Sequence, residues 1–232
     1  MVESVSFDVW GTLLDLDKTL QEASRVIAEA LGAPFETVYS RVLKAHEEAR
    51  KVRRSSLIPG NETVKTGQAI LAKHIGVDPS GVDSLIHKAF QEVDPHRIVY
   101  DDVVETVEDL YEEGLRLAVA GNVLFWPSSY TWRLLERLSL GKFLEARVFS
   151  DEVGFNKPDR GFFIALLEKL GVEPGSVVHV GDNVIEDVGG PMSMGMKAVL
   201  IRRDLKLTLS INLLGLAVVS SLRQLPSVIR LI

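Results

Sequence analysis

Phe7-Asp8-Val9-Trp10-Gly11-Thr12-Leu13-Leu14-Asp15 puts an aspartate where an apolar run ends and a glycine-containing turn begins. The run ahead of it, residues 2–7, has counterparts at 117–120, 177–180, 198–201 and 216–219. All read as short, predominantly apolar runs containing β-branched residues, the pattern of strands buried on both faces of a parallel sheet. Helical patterns lie between them at 103–113, 130–138 and 160–170, each closing near a glycine (Gly114, Gly141, Gly171). Strand, helix, strand repeated along a chain defines an α/β core, and an acid at a strand end faces the crevice where such sheets bind ligands.

Residues 17–95 have a different texture, with helical periodicity only. Thr19-Leu20-Gln21-Glu22 has capping-box spacing, Leu20, Ala23, Ile27 and Leu31 form one stripe, and Gly32 and Pro34 end it. Further helices are predicted over 35–50, 62–74 and 82–93. The first strand is therefore followed by a helical insertion placed as a lid, giving a core of 1–16 and 96–232 and an inserted unit of 17–95.

The 232 residues suffice for one or two cores, and 46% hydrophobic with 25% charged residues is the balance of a chain that folds alone. Twenty-six basic against 32 acidic residues, a net charge of −6, argue against nucleic-acid and membrane partners and favour small ligands. Cysteine is absent, which removes disulfides, thiolate metal sites and cysteine nucleophiles. The amino-terminal sequence has no signal-peptide pattern, so a cytoplasmic location is expected. The most apolar stretch, 205–219, is interrupted by Lys206, Ser210, Asn212 and Gly215 and reads as buried core rather than a membrane span.

Two later segments add chemistry to Asp8. Phe155-Asn156-Lys157-Pro158-Asp159 puts a lysine just before a helix, and Val180-Gly181-Asp182-Asn183-Val184-Ile185-Glu186-Asp187 ends a second strand in an acid with another five residues on. Two strand-end carboxylates in one sheet can converge on a hard cation such as Mg²⁺, which prefers oxygen ligands. Lys157 would offset the remaining charge.

With Val119-Ala120-Gly121-Asn122 between them, these segments resemble, in order and over the whole chain, the haloacid dehalogenase superfamily of hydrolases with a helical cap. The resemblance implies a Rossmann-like core with helices on both faces of a parallel sheet. It gives Asp8 the role of nucleophile and Lys157 that of orienting and neutralising nucleophile and substrate. Thr12, Gly121 and Asn122 would bind the transferred group. Mg²⁺ would be held by Asp8, the Trp10 backbone carbonyl and Asp182, with Asp187 supporting the metal site. The expected reaction is hydrolysis of a small phosphorylated metabolite through an aspartyl-phosphate.

Departures from the family pattern keep other readings open. Superfamily phosphatases usually carry a second aspartate two residues after the nucleophile, where this chain has Trp10, and a Ser or Thr where it has Gly121. Trp10 and Asn122 match the metal-free L-2-haloacid dehalogenases, and Arg41 could correspond to their substrate-binding arginine; Asp182, Val184 and Phe163 do not fit that branch. A low-activity ligand-binding relative is the third reading. Elsewhere, His46 reads as solvated surface; the basic run Arg50-Lys51-Val52-Arg53-Arg54 reads as a solvated helix end, with attraction of an anionic substrate as its alternative; His179 reads as a packed, hydrogen-bonded histidine, with a proton carrier as its alternative; and Trp126 reads equally as a wall of the cleft or an anchor for the next helix.

Overall fold

In the computed structural model, residues 2–55, 58–205, 210–211 and 215–232 are described. Seven strands form one sheet: β1 (Ser4–Phe7), β2 (Arg116–Gly121), β3 (Leu144–Phe149), β4 (Val177–Gly181), β5 (Lys197–Ile201), β6 (Ser210–Ile211) and β7 (Leu216–Val219), in the order β3-β2-β1-β4-β5-β7-β6. Every neighbouring pair is parallel except β6 with β7. The Rossmann-like α/β fold expected from the sequence is the fold observed.

The insertion between β1 and β2 carries α1 (Leu16–Leu31), α2 (Phe35–Arg54), α3 (Thr63–Ile75) and α4 (Pro79–Glu92). The short α5 (Pro95–Ile98) and α6 (Val103–Glu112) lead back into the sheet. Beyond β2 come α7 (Ser128–Arg137), α8 (Ser150–Val153), α9 (Arg160–Leu170), α10 (Gly190–Ser193) and α11 (Leu225–Ile229). None of the described helices is long and apolar enough to cross a membrane.

Some local readings are corrected. Helix α1 starts before Thr19: Asp15 is its N-cap and accepts from the Lys18 amide at 3.0 Å, while the Thr19 hydroxyl donates to the Asp15 carbonyl. Helix α2 runs on to Arg54, four residues past the predicted end, which carries its basic last turn to the cleft. Strand β3 was not predicted because Glu145 and Arg147 alternate with buried residues, as suits an edge strand. Of the apolar stretch 205–219, residues 206–209 and 212–214 lie outside the described residues; Ala217 and Val219 are buried in β7 as expected.

The insertion is not separated from the core by a water-filled gap. One apolar cluster runs from Val5 and Phe7 of β1 through Phe125 and Trp126 to Val42, Leu71 and Phe90 of the inserted helices. A Cβ on Gly67 of α3 would lie 2.1 Å from the Leu124 carbonyl, so only glycine allows that helix to seat so closely. On the opposite face of the sheet, Phe162, Phe163 and Leu166 of α9 pack on Ala118, Ala120 and Val148.

Candidate active site

Parallel register sets the positions of the site. Phe7 is level with Val119 of β2 and Val180 of β4, so Asp8 emerges beside Ala120 and Gly181, and its amide donates to the Val180 carbonyl at 2.8 Å. The chain then turns sharply, with the Val9 carbonyl accepting from the amides of Thr12, Leu13 and Leu14. The Trp10 carbonyl takes no part in these turn bonds. Gly11 has φ +91°, and a Cβ there would lie 2.6 Å from an Asp182 carboxylate oxygen. The glycine thus permits both the turn and the approach of Asp182 to the end of β1. Gly181 has a similar role, since its Cβ would fall 2.3 Å from Asp187 Cγ.

Carboxylate oxygens of Asp8, Asp182 and Asp187 lie within 4.8 Å of one another. Lys157, entering from the loop before α9, donates from Nζ to Asp8 Oδ1 at 2.8 Å, to Asp187 Oδ1 at 2.7 Å and to the Ala120 carbonyl at 2.7 Å. The lysine is buried, and its three donors are all used. Asp187 also meets His179 Nε2 at 3.2 Å and accepts from the Asn183 amide at 3.0 Å, while Ser6 and His179 Nδ1 share a hydrogen bond of 2.8 Å. His179 is therefore the packed, hydrogen-bonded histidine expected from the sequence, kept neutral chiefly by burial.

The electrostatics follow from crowding three acids around one ammonium. Burial, opposed by Lys157 and reinforced by Asp187 and Asp182, pushes the Asp8 carboxyl up to about 8. Partial desolvation and repulsion from Asp187 push Asp182, the solvent-exposed member of the three, up to about 6. Burial acts on Asp187 in the same sense, but Lys157 and His179 outweigh it and hold that carboxyl below the usual carboxylate range. Desolvation likewise opposes the charge on Lys157, and the two carboxylates overcome it, holding the ammonium above the ordinary lysine range.

Hard oxygen donors with raised proton affinity fit a divalent cation, which would replace protons at Asp8 and Asp182. Cation affinity should consequently rise between about pH 6 and pH 8, with proton release on binding. Titration calorimetry in two buffers of different ionisation enthalpy checks this; a pH-independent affinity with no proton release would contradict it.

The remaining predicted residues divide by location. Thr12 is fully buried and its hydroxyl points at Asp8 Oδ2 from 3.5 Å, so it faces Asp8 rather than the open cleft. Gly121 is buried, with space for a Cβ limited by Phe149 at 3.2 Å. Asn122 lines the cleft but is engaged on both sides: Oδ1 accepts from the Lys157 amide at 2.8 Å, and Nδ2 donates to the Lys157 carbonyl at 3.2 Å and to Glu186 at 2.9 Å. Trp10 and Trp126 both line the cleft, their rings edge to face with centroids 5.2 Å apart. Trp126 also bonds Thr131 of α7, so both readings of it hold. Arg41 lies outside the cleft lining and reaches the Ile75 carbonyl.

The basic run is the largest surprise. Arg53 is buried, and its guanidinium forms a forked pair with Glu186 at 3.1 and 3.2 Å; Arg54 Nε joins the same carboxylate at 2.7 Å. Desolvation of Glu186 is outweighed by these arginines, which keep it ionised. His46, also read as solvated, lines the same cavity, and burial together with Arg50, Arg53 and Arg54 pushes it down to about 4. Residues three and four apart share a helix face, so His46, Arg50 and Arg53 or Arg54 align once α2 continues to Arg54. That spacing was the available signal.

A doubly wound sheet with a strand-end aspartate, a buried lysine against it, two further converging acids and a helical insertion over them defines a hydrolase class built around a carboxylate nucleophile. The chain belongs to the haloacid dehalogenase-like hydrolase family, whose model matches residues 2–194. It is 31% identical over 209 residues to the glyceraldehyde 3-phosphate phosphatase of Methanopyrus kandleri, covering 88% of this chain and 85% of that one. It is 27% identical to the phosphorylated carbohydrates phosphatase of Thermotoga maritima, over 78% and 77% of the two chains. Among solved structures, the L-2-haloacid dehalogenase of Xanthobacter autotrophicus superposes with TM-score 0.72 at 19% identity, covering 99% of both chains, a likeness of fold.

Proposed function

We propose that the protein is a Mg²⁺-dependent phosphatase of small phosphorylated metabolites that works through an aspartyl-phosphate on Asp8. The observation that carries this reading is the triad of Asp8, Asp182 and Asp187 around Lys157, which calls for a cation. The names of the relatives point to phosphorylated sugars and trioses as the substrate class. Helices α1 to α4 act as the cap, bounded at about residues 17–95.

In this mechanism Asp8 Oδ2 is the attacking atom, because Oδ1 is held by Lys157 and Oδ2 meets only the long contact from Thr12. Attack on phosphorus forms the Asp8 O–P bond as the ester or acyl oxygen departs; water then cleaves that bond and regenerates the carboxylate. Lys157 fixes the rotamer of Asp8 and stabilises its charge, and Asp187 keeps Lys157 protonated. Asn122 holds the lysine loop through both of its amide groups. Mg²⁺, held by Asp8, Asp182 and the Trp10 carbonyl, would supply charge neutralisation on the transferring group. Trp10 and Trp126 exclude water from the inner cleft.

Hydrolysis of acetyl phosphate and p-nitrophenyl phosphate tests the reading. Turnover is expected with Mg²⁺, absent with EDTA, and reduced by at least ~10³-fold in Asp8→Asn, since removing a nucleophile removes the covalent route. Metal-independent halide release from L-2-chloropropionate, without phosphatase turnover, would overturn it in favour of a dehalogenase.

A further inference from the structure

The cleft is divided. An inner cavity of about 110 Å³ holds Asp8, Asp182, Asp187, Trp10, Trp126, His46 and Arg50. An outer cleft of about 530 Å³ is lined by Ile58, Phe155, Asn156 and Ile185 among others. Arg53, Arg54 and Glu186 belong to the lining of both and stand as the wall between them. The inner space is smaller than the ~150 Å³ that accommodates a benzene ring, so a phosphoryl group takes up most of it. The rest of a substrate must meet that wall.

The wall is not electrically balanced. Two guanidiniums, Arg53 and Arg54, share a single carboxylate, Glu186, whose other side-chain partner is the neutral amide of Asn122, and Arg50 lines the same inner cavity. Arg50 forms no ion pair among the described residues. Arg53 is 8% exposed, and its Nε has no hydrogen-bond partner. A buried guanidinium with an unmatched N–H carries a desolvation cost, so Arg53 is held in place by its remaining N–H donors to Glu186. Glu186 is itself only 6% exposed, so the pairing is made in a desolvated place where a competing anion would bind strongly.

We propose that Arg50, Arg53 and Arg54 form a second anion subsite, and that the preferred substrate carries, besides the phosphoryl group presented to Asp8, a second anionic group such as a carboxylate or another phosphate. Glu186 occupies Arg53 and Arg54 when no substrate is bound, and the distal anion takes over part of their hydrogen bonding while Arg50 adds charge. This deepens the phosphatase reading and rests on it for the orientation of the ligand.

The test compares two inert phosphonates by calorimetry in the presence of Mg²⁺: phosphonoacetate, which has a carboxylate beyond the phosphonate, and methylphosphonate, which has none. Phosphonoacetate is expected to bind at least 10-fold more tightly, and the preference is expected to fall below 3-fold in the double variant Arg50→Gln/Arg54→Gln. Both positions are at least partly exposed, so the variant should fold, and its circular dichroism and melting temperature verify that. Equal affinities in the wild type, a preference that survives in the variant, or no binding of either phosphonate would each overturn the subsite. Turnover of p-nitrophenyl phosphate by the same preparation reports separately on the phosphatase reading. A preserved phosphonate preference without turnover would thus support the subsite while removing that reading.

Discussion

Lys157→Met is expected to destabilise the metal-free protein by about 3–5 kcal/mol at neutral pH, the cost of removing one partner of a buried ionic cluster. Methionine has nearly the same length and fills the same channel, so the loss is electrostatic rather than a cavity. Two buried carboxylates, Asp8 and Asp187, would then face each other without their shared ammonium. The sign of the pH dependence identifies the cause. In the wild type, Asp187 lies below its ordinary range, so its contribution is present above pH 4 and lost as pH falls through its folded-state value. Without Lys157, burial is unopposed: Asp187 rises above its unfolded value, and Asp8, already raised in the wild type, rises further. The variant should therefore gain stability relative to the wild type as pH falls from 8 to 5, and also on adding Mg²⁺. Urea unfolding at several pH values measures this directly. A pH-independent deficit would show that Lys157 matters for packing alone.

The same cluster shows what a sequence reveals of such a site and what it hides. Asp8, Lys157, Asp182 and Asp187 were legible because each stands beside a strand end or a helix start, where local pattern fixes position. Parallel register then had little freedom to place them elsewhere. The cap–core contact was not legible, because Arg53 and Glu186 are 133 residues apart and nothing local tells a solvated arginine from one forked onto a buried carboxylate. The predicted end of α2 at residue 50 also hid the register of the last turn. At Thr12 the motif gives a position near Asp8, but only the fold shows that the hydroxyl is buried against Asp8 Oδ2. Strand β3 escaped for a third reason, since an edge strand keeps one polar face and loses the uniform apolarity by which its neighbours were recognised.

Trp10 leads to the second large effect. Aryl and acyl phosphates should be hydrolysed about 10²–10⁴-fold faster, in kcat/KM, than alkyl phosphates of similar size and charge, because that is the range a positioned general acid contributes to expelling a poor leaving group. The cleft offers no evident replacement for an acid two residues after the nucleophile. His46 is pushed down to about 4 and is a neutral imidazole at neutral pH. Glu186 is held ionised by Arg53 and Arg54, and Asp182 would be taken up by the proposed cation. Trp10→Asp should then narrow the gap by accelerating alkyl phosphates while leaving aryl phosphates within a few fold. The new carboxyl would face the cavity that the indole now lines, and the edge-to-face contact with Trp126 would be lost at a cost of about 0.5–1.5 kcal/mol beyond area burial, small enough for the fold to survive. A matched series of phosphate esters spanning leaving-group pKa from about 7 to 16 gives the slope: steep for the wild type, shallow for the variant. A shallow slope in the wild type would mean that a proton reaches the leaving oxygen by another route, with the substrate itself or a cleft water as its source.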